Sequence, residues 1–524
     1  MYLLKGALIV DGTGREPFTG DVLFEEKILE VAPDIAPGEA RQLDCRGLAV
    51  APGFIDTHSH SDLKLLSEEP PMEKIRQGIT TEILGQDGIS VAPCRPGHRE
   101  MAARLVKGLL GRTRASWSWQ DVDGYLSALD RARPPVNGAM LVPHGMVRMW
   151  VKGMSDDPAT PEELREMQGV LEENLGQGAV GLSTGLVYPP CAYATQEELE
   201  ALCQVAAGFD VPLVVHLRSE GRHILPAVAE ILDIARRTGV AVHISHFMVT
   251  ARENWHLLDP LLQMVTRARE EAVALTCDQY PYKAACTVMT ALLPYWSMEG
   301  GTDGLLGRLR APGDREAIRR EVLSGTESWE NRAVTIGWEN IVLSSARQPK
   351  NRDSEGLSLE EIARDRGQEP VDVLLDIILE EEGAATMIMH HLSDQVVDSI
   401  MKLPFTNCCT DGIYGGKPHP RLYAAFARRL SHYTRERGLL SLEEAIRGMT
   451  GLPASTFGLR ERGLLKEGLA ADVVVFSPER VLDTATYQEP QQHPEGIDHV
   501  FVGGIPVVRD GEFTGHRPGR ALRL

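Results

Sequence analysis

The sequence predicts an α/β protein: a (β/α)8 TIM-type barrel with a small β domain built from both ends of the chain. Three observations point there. Through the middle of the chain, apolar β-type runs alternate with amphipathic helical stretches, the pattern of βα units and a parallel sheet. Eight such runs can be read, the number a closed barrel needs. Both ends read differently, as short strands broken by Gly and Pro turns.

Taken in order, the N-terminal strands are "YLLKGALIV", "GDVLFEEKILEVAP" and "RQLDCRGLAV". The eight barrel runs follow as "LAVAPGFIDTH", "ITTEILGQD", "NGAMLVPHG", "AVGLSTG", "VPLVVHL", "VAVHISH", "VALTCDQY" and "FTNCCTDG". About 125 residues separate the seventh run from the eighth, far beyond an ordinary βα connection. That stretch holds strand-like runs of its own, "RAVTIGW", "NIVLSSA" and "ATMIMHH", and reads as an insertion within about 290–400 plus the seventh helix. The chain closes on "ADVVVFSP", "HVFVGGIPVVRDGEF" and "GHRPGRALRL". The expected division is therefore 1–49 with 455–524 for the small β domain, and 50–454 for the barrel.

Composition narrows the class. Of 524 residues, 43% are hydrophobic and 24% charged, enough apolar material for a large soluble core. A net charge of −20 without a long Lys/Arg cluster argues against a nucleic-acid or anionic-membrane partner. No apolar run approaches the roughly 20 residues of a membrane span, and the N-terminus carries no signal-peptide pattern. Eight scattered cysteines without zinc-knuckle spacing suggest reduced thiols and a cytoplasmic protein. Oligomeric state is left open.

In such barrels the chemistry gathers at the C-terminal ends of the strands. The first run closes in His58 and His60, which alternation puts on one face. The second closes in Asp87, the fifth in His216, the sixth in His246 and the eighth in Asp411. Each has an ordinary reading: Asp87 in "GQDG" is a good turn residue, and a single His216 or His246 is more often a hydrogen-bonded core histidine. Four histidines and two carboxylates converging on one barrel mouth are the ligand chemistry of a zinc-type hydrolase. His243, three positions before His246, faces away and is structural. His144 closes the third run and stands at most behind the site.

The segments "APGFIDTHSHSD", "GITTEILGQDGISVAP", "GLSTGLVYPP", "VVHLRSEG", "ISHF", "DQYPYKAACT", "TDGIYGGKPHPR" and "GLLKEGLAADVVVFSP" resemble, in order, the D-aminoacylase (N-acyl-D-amino-acid deacylase) branch of the amidohydrolase superfamily. The resemblance spans almost the whole chain. It implies a zinc centre in the barrel and a small β-sandwich formed from both termini. It implies one pair of metal ligands in His58 and His60, and another in His216 and His246. Where the family has a cysteine in "GNCG", this chain has Asp87, with Cys94 out of register. A carboxylate can bridge two divalent metals but is a harder ligand than a thiolate, so one or two ions, and metals other than zinc, stay open. The fourth run has no lysine of the kind that cyclic amidases of the superfamily carry.

The implied activity is metal-dependent hydrolysis of small N-acyl-D-amino acids to a carboxylate and a free D-amino acid. Asp411 would move the proton from the attacking water to the departing amine. Arg421, Tyr188 and Tyr282 match the family's residues around the substrate carboxylate, while Met248 stands where a lysine is common. Lys283 follows Tyr282 but alternation turns it away. Another amidohydrolase acting on a cyclic or peptide-like amide, and an inactive homologue serving in binding or assembly, are the alternatives.

Overall fold

The structure, a computed structural model, describes residues 1–110, 117–324 and 329–524. Residues 325–328, inside the expected insertion, lie outside the described residues. Eight short parallel strands form the barrel: Phe54–Asp56, Ile79–Leu84, Asn137–Met140 continuing as Val142–Pro143, Leu182–Gly185, Leu213–His216, Val242–Ile244, Leu275–Gln279 and Thr406–Cys408. The circle closes between the first and last strands through the parallel bridge Ser59 to Gly412 and the Asp411 amide donating to the His58 carbonyl at 2.9 Å. Most of these strand residues are buried, which is why the runs read as continuous apolar stretches rather than alternating ones.

A buried ion pair reinforces the closure. Lys74 Nζ reaches Asp56 Oδ2 at 2.6 Å and the Thr410 hydroxyl at 2.5 Å, while Asp56 Oδ1 accepts the Thr410 amide at 2.8 Å. The end of the first strand is thereby locked to the segment leaving the eighth. Around the barrel, the helices start where the sequence places caps. Thr160 and Glu163 form a reciprocal capping box around Pro161–Gly176, and Thr195 caps Gln196–Gly208.

Both ends of the chain meet in one nine-stranded sheet, joined where Ala49–Pro52 runs antiparallel to Val473–Phe476. Alternation divides its faces: Val473 and Val475 share a core with Leu4, Val22, Phe24 and Phe501, while Val474 and Phe476 pack into the barrel core. The run "LAVAPGFIDTH", expected as one strand, is therefore two. Its first half belongs to the terminal sheet and the barrel strand begins at Phe54, with the break at Gly53, where a Cβ would lie 2.2 Å from the Thr80 hydroxyl. At the far end, Ala521–Leu522 adds to barrel strand Asn137–Met140.

After the seventh strand the chain builds a three-stranded antiparallel sheet, Ala284–Val288, Thr386–His390 and Ile341–Ser345, over its own core of Leu305, Leu343, Leu374 and Met387. "NIVLSSA" and "ATMIMHH" are strands, as expected. "RAVTIGW" is a helix, Arg332–Ile336, because the Asn331 side chain caps its start by accepting the Val334 amide. No described helix is long and apolar enough to cross a membrane.

Candidate metal centre and active site

His58 and His60 leave the first strand on the same face, as alternation requires, and the fifth and sixth strands deliver His216 and His246 opposite them. Asp87 stands between the two pairs. Its strand ends at Leu84, and a turn carries it inward with Asp87 itself at φ 56°. His246 (φ 31°) and Asp411 (φ 45°) also hold left-handed backbone, uncommon for residues other than glycine. Three strained residues at one barrel mouth are what a site built for function shows.

The two oxygens of Asp87 divide the work. Oδ2 lies 3.5 Å from His58 Nε2 and 3.6 Å from His60 Nε2, while Oδ1 lies 3.8 Å from His216 Nδ1 and 3.7 Å from His246 Nε2. Ligands about 2.1 Å from a tetrahedral zinc stand about 3.4 Å apart, close to these separations. His216 Nδ1 and His246 Nε2 are nearer, 2.8 Å, and hydrogen-bonded as they stand. Among the described residues, no hydrogen-bond partner reaches His58 Nδ1 or Nε2, His60 Nδ1, Asp87 Oδ1 or His216 Nε2, all buried. Buried orphans are rare and call for an ion or water. Burial pushes the Asp87 carboxyl up, but the His58 charge and the other imidazoles outweigh it and hold the group well below the usual carboxylate range. Burial takes His216 the other way, down to about 4, which leaves its imidazole neutral.

Asp411 reaches the same centre from the eighth strand, with Oδ1 3.2 Å from His60 Nε2 and 3.7 Å from His58 Nε2. Its Oδ2 is taken by Arg421 Nη1 at 2.8 Å. Burial raises its pKa, and Arg421 with the imidazoles more than reverses that, so the carboxylate is ionised. Arg421 is itself fully buried, donates Nη2 to the Cys286 carbonyl at 2.9 Å and lies 4.3 Å over the Tyr280 ring. It is engaged by Asp411 and does not line the cleft.

The cleft is walled by Tyr188, Met248, Tyr280, Thr287, Arg332 and Met389 beside His60, Asp87, His216, His246 and Asp411. Tyr188 packs against the His216 ring and its hydroxyl bonds Thr287 at 2.9 Å. Tyr282 is not brought to the cleft. The chain turns at Pro281, and the Tyr282 ring packs instead on His419 and Tyr487, under Arg428. Tyr280 occupies the cleft wall, with its hydroxyl 3.8 Å from Met248 Sδ. Lys283 turns away, pairing with Asp394 at 3.1 Å. Cys94 sits apart in a cluster with Met146, Met149 and Met154.

His144 bonds Thr184 and Glu198 at 2.9 and 2.8 Å, and His243 bonds Thr276 and Asp278 at 2.8 and 2.9 Å; both are structural. Three contributors lie outside the residues that the sequence singles out. Glu220, four residues after His216, accepts from His246 Nδ1 at 2.9 Å, directing Nε2 of that ring toward Asp87. Asp278, inside "DQYPY", accepts the His246 amide at 2.5 Å and the Thr57 hydroxyl at 2.9 Å. Arg332 pairs with Glu220 Oε2 at 3.0 Å. The "VVHLRSEG" motif held the signal for Glu220; nothing in the sequence marked Arg332.

Comparison with known proteins agrees with this geometry. The Amidohydrolase family pattern matches residues 41–287 and 358–508. A D-aminoacylase of Alcaligenes xylosoxydans xylosoxydans is 33% identical over 524 residues, covering 99% of this chain and 97% of the relative. An N-acyl-D-glutamate deacylase from the same organism is 35% identical over 530 residues, covering 99% and 96%. The crystal structure of N-acyl-D-glutamate deacylase from Bordetella bronchiseptica, complexed with zinc and a phosphonate mimic of the tetrahedral intermediate, superposes with a TM-score of 0.84 at 32% identity over 100% of this chain and 99% of that one. With a barrel, a divided ligand set and full-length similarity all in agreement, the chain belongs to the amidohydrolase family, in its D-aminoacylase branch.

Proposed function

We propose that the protein is a zinc-dependent N-acyl-D-amino-acid deacylase, hydrolysing a small N-acyl-D-amino acid to a carboxylate and a free D-amino acid. One observation carries the reading: a buried carboxylate, Asp87, turns one oxygen to each of two histidine pairs, in a chain similar from end to end to such deacylases. The donor set fits the metal, since imidazoles and a carboxylate suit zinc and the orphaned nitrogens need a cation. His58 and His60 would hold one ion and His216 with His246 another, with Asp87 shared, giving one or two per chain. The carboxylate also admits other divalent metals. When bound, the ion supplies Lewis acidity and a water of lowered pKa.

The protein's own residues supply the proton traffic and the positioning. Asp411 is ionised and turns Oδ1 toward the ligand histidines, so it can accept the water's proton there. Returning that proton to the amine nitrogen makes the amine a leaving group. Arg421 fixes the orientation by gripping Oδ2. Glu220 holds the His246 tautomer and Asp278 its backbone. Tyr188 walls the substrate side of the cleft. A cytoplasmic location belongs to the same proposal, supported by eight buried cysteines that are all thiols.

The test is a screen of N-acetyl and N-formyl D- and L-amino acids together with hydantoins and dihydroorotate, with metal determined on the same sample. Amine release from the D-series supports the reading. Turnover of the cyclic amides alone, or a metal-loaded protein inert toward all of them, contradicts it.

A further inference from the structure

The cleft needs a cation to hold the carboxylate of an N-acyl amino acid, and the expected ones are elsewhere. Position 248 is a methionine, Lys283 is turned to Asp394, and Arg421, which does not line the cleft, pairs through Nη1 with Asp411 and donates Nη2 to the Cys286 carbonyl. Among the described residues lining the cleft, Arg332 is the only Lys or Arg. It opens helix Arg332–Ile336 in the inserted segment, within the stretch 288–357 that the family pattern leaves unmatched. Its side chain is 5% exposed; Nη2 goes to Glu220 Oε2 at 3.0 Å and lies 3.8 Å from Glu330 Oε2, and among the described residues no hydrogen bond engages Nε or Nη1.

The same inserted segment holds a second buried side chain without a partner. His391, also 5% exposed, has no hydrogen-bond partner at either ring nitrogen among the described residues. It follows strand Thr386–His390 of the inserted sheet, whose partner Ala284–Val288 leads out of the seventh barrel strand. Burial first, and then the charge of Arg332, bring its pKa down to about 3.

We propose that the inserted segment supplies the recognition of the substrate carboxylate: Arg332 performs the task for which position 248 has no charge. This rests on the deacylase reading. A guanidinium whose donors are only partly used can present a fork to a carboxylate, which a lysine cannot. Glu220 on its other side fixes the guanidinium in place. The consequence for specificity is that the insertion, rather than the sixth-strand loop, selects acids over neutral amides.

The experiment compares zinc-loaded wild type, Arg332→Met and Arg332→Lys on an N-acetyl-D-amino acid and on its carboxamide, with metal content measured alongside. Arg332→Met is expected to raise KM for the acid about ten- to a hundred-fold and to leave the carboxamide within about three-fold, the loss of one charged hydrogen-bonding partner. Arg332→Lys is expected to recover part of the acid's KM, and metal content should not change. Equal losses on both substrates would overturn the proposal, since Arg332 would then act only through Glu220 and His246; so would no change on either. If Arg332→Met does not fold, the acid-to-carboxamide ratio of Arg332→Gln and Arg332→Lys decides in the same way. A wild-type protein that hydrolyses neither compound overturns the deacylase reading itself, and the proposal with it.

Discussion

Replacing Asp87 by alanine should strip the site of metal, because this one side chain faces both histidine pairs. Its two oxygens stand 3.5 and 3.6 Å from the first pair and 3.8 and 3.7 Å from the second, so the change deletes a donor at each position at once. Losing even an outer partner of a metal ligand costs about 10- to 100-fold in affinity; losing a direct donor should reach at least the upper end, about 2.7 kcal/mol. That loss is visible in stability. At zinc about 1,000 times the wild-type Kd, binding stabilises the fold by about 4.1 kcal/mol, and a 100-fold weaker site leaves about 1.4 kcal/mol. The assay is metal content after dialysis, together with the thermal midpoint with and without zinc. Cys94→Ala is the control, since Cys94 packs among methionines away from the centre. A wild-type metal content in Asp87→Ala, or its loss in Cys94→Ala, would refute the assignment.

Asp411→Asn should retain metal yet lose about two orders of magnitude or more in turnover, because the amide keeps the shape but cannot carry a proton; near-normal turnover would remove Asp411 from the mechanism. Glu220→Gln keeps an acceptor for His246 Nδ1 but loses the charge, and zinc affinity measured by chelator competition should drop about 10- to 100-fold. An unchanged affinity would make Glu220 a mere counter-ion of Arg332. Asp278 carries a pH signature: burial raises its carboxyl, but His243 and the neighbouring imidazoles outweigh that and bring it from 3.8 to about 2. A group depressed in the folded state stabilises above its unfolded pKa and loses that contribution as pH falls through the folded one. Urea midpoints of Asp278→Asn should therefore decline less between pH 4 and 2 than those of wild type, by about 2 kcal/mol in all. Parallel declines would count against it.

The convergence of the four histidines on one barrel mouth is legible in the sequence because strand alternation is rigid. His58 and His60 had to share a face, and His216 and His246 had to close their strands where a parallel barrel opens. Register places Asp87 at the same mouth, although it does not reveal the left-handed turn that delivers it. What escaped depends on contacts between distant segments. Tyr280 and Tyr282 would share a face in a strand, but the chain turns at Pro281 and Tyr487, from the C-terminal region, holds the second ring. Arg421 carries the expected charge, yet its partner is Asp411, a choice that only packing reveals. Arg332 lay in a run rich in β-branched residues and was read as a strand; the Asn331 cap makes it a helix and puts the guanidinium at Glu220.

The central claim is that a divalent metal held by His58, His60, Asp87, His216 and His246 drives hydrolysis of N-acyl-D-amino acids. The most direct test is to titrate metal-free protein with zinc while following amine release from an N-acetyl-D-amino acid and its L-enantiomer. The account predicts no turnover without metal, and turnover of the D-compound that rises and breaks at one or two equivalents per chain. Full turnover in the presence of a strong chelator, or equal turnover of the two enantiomers, would contradict it.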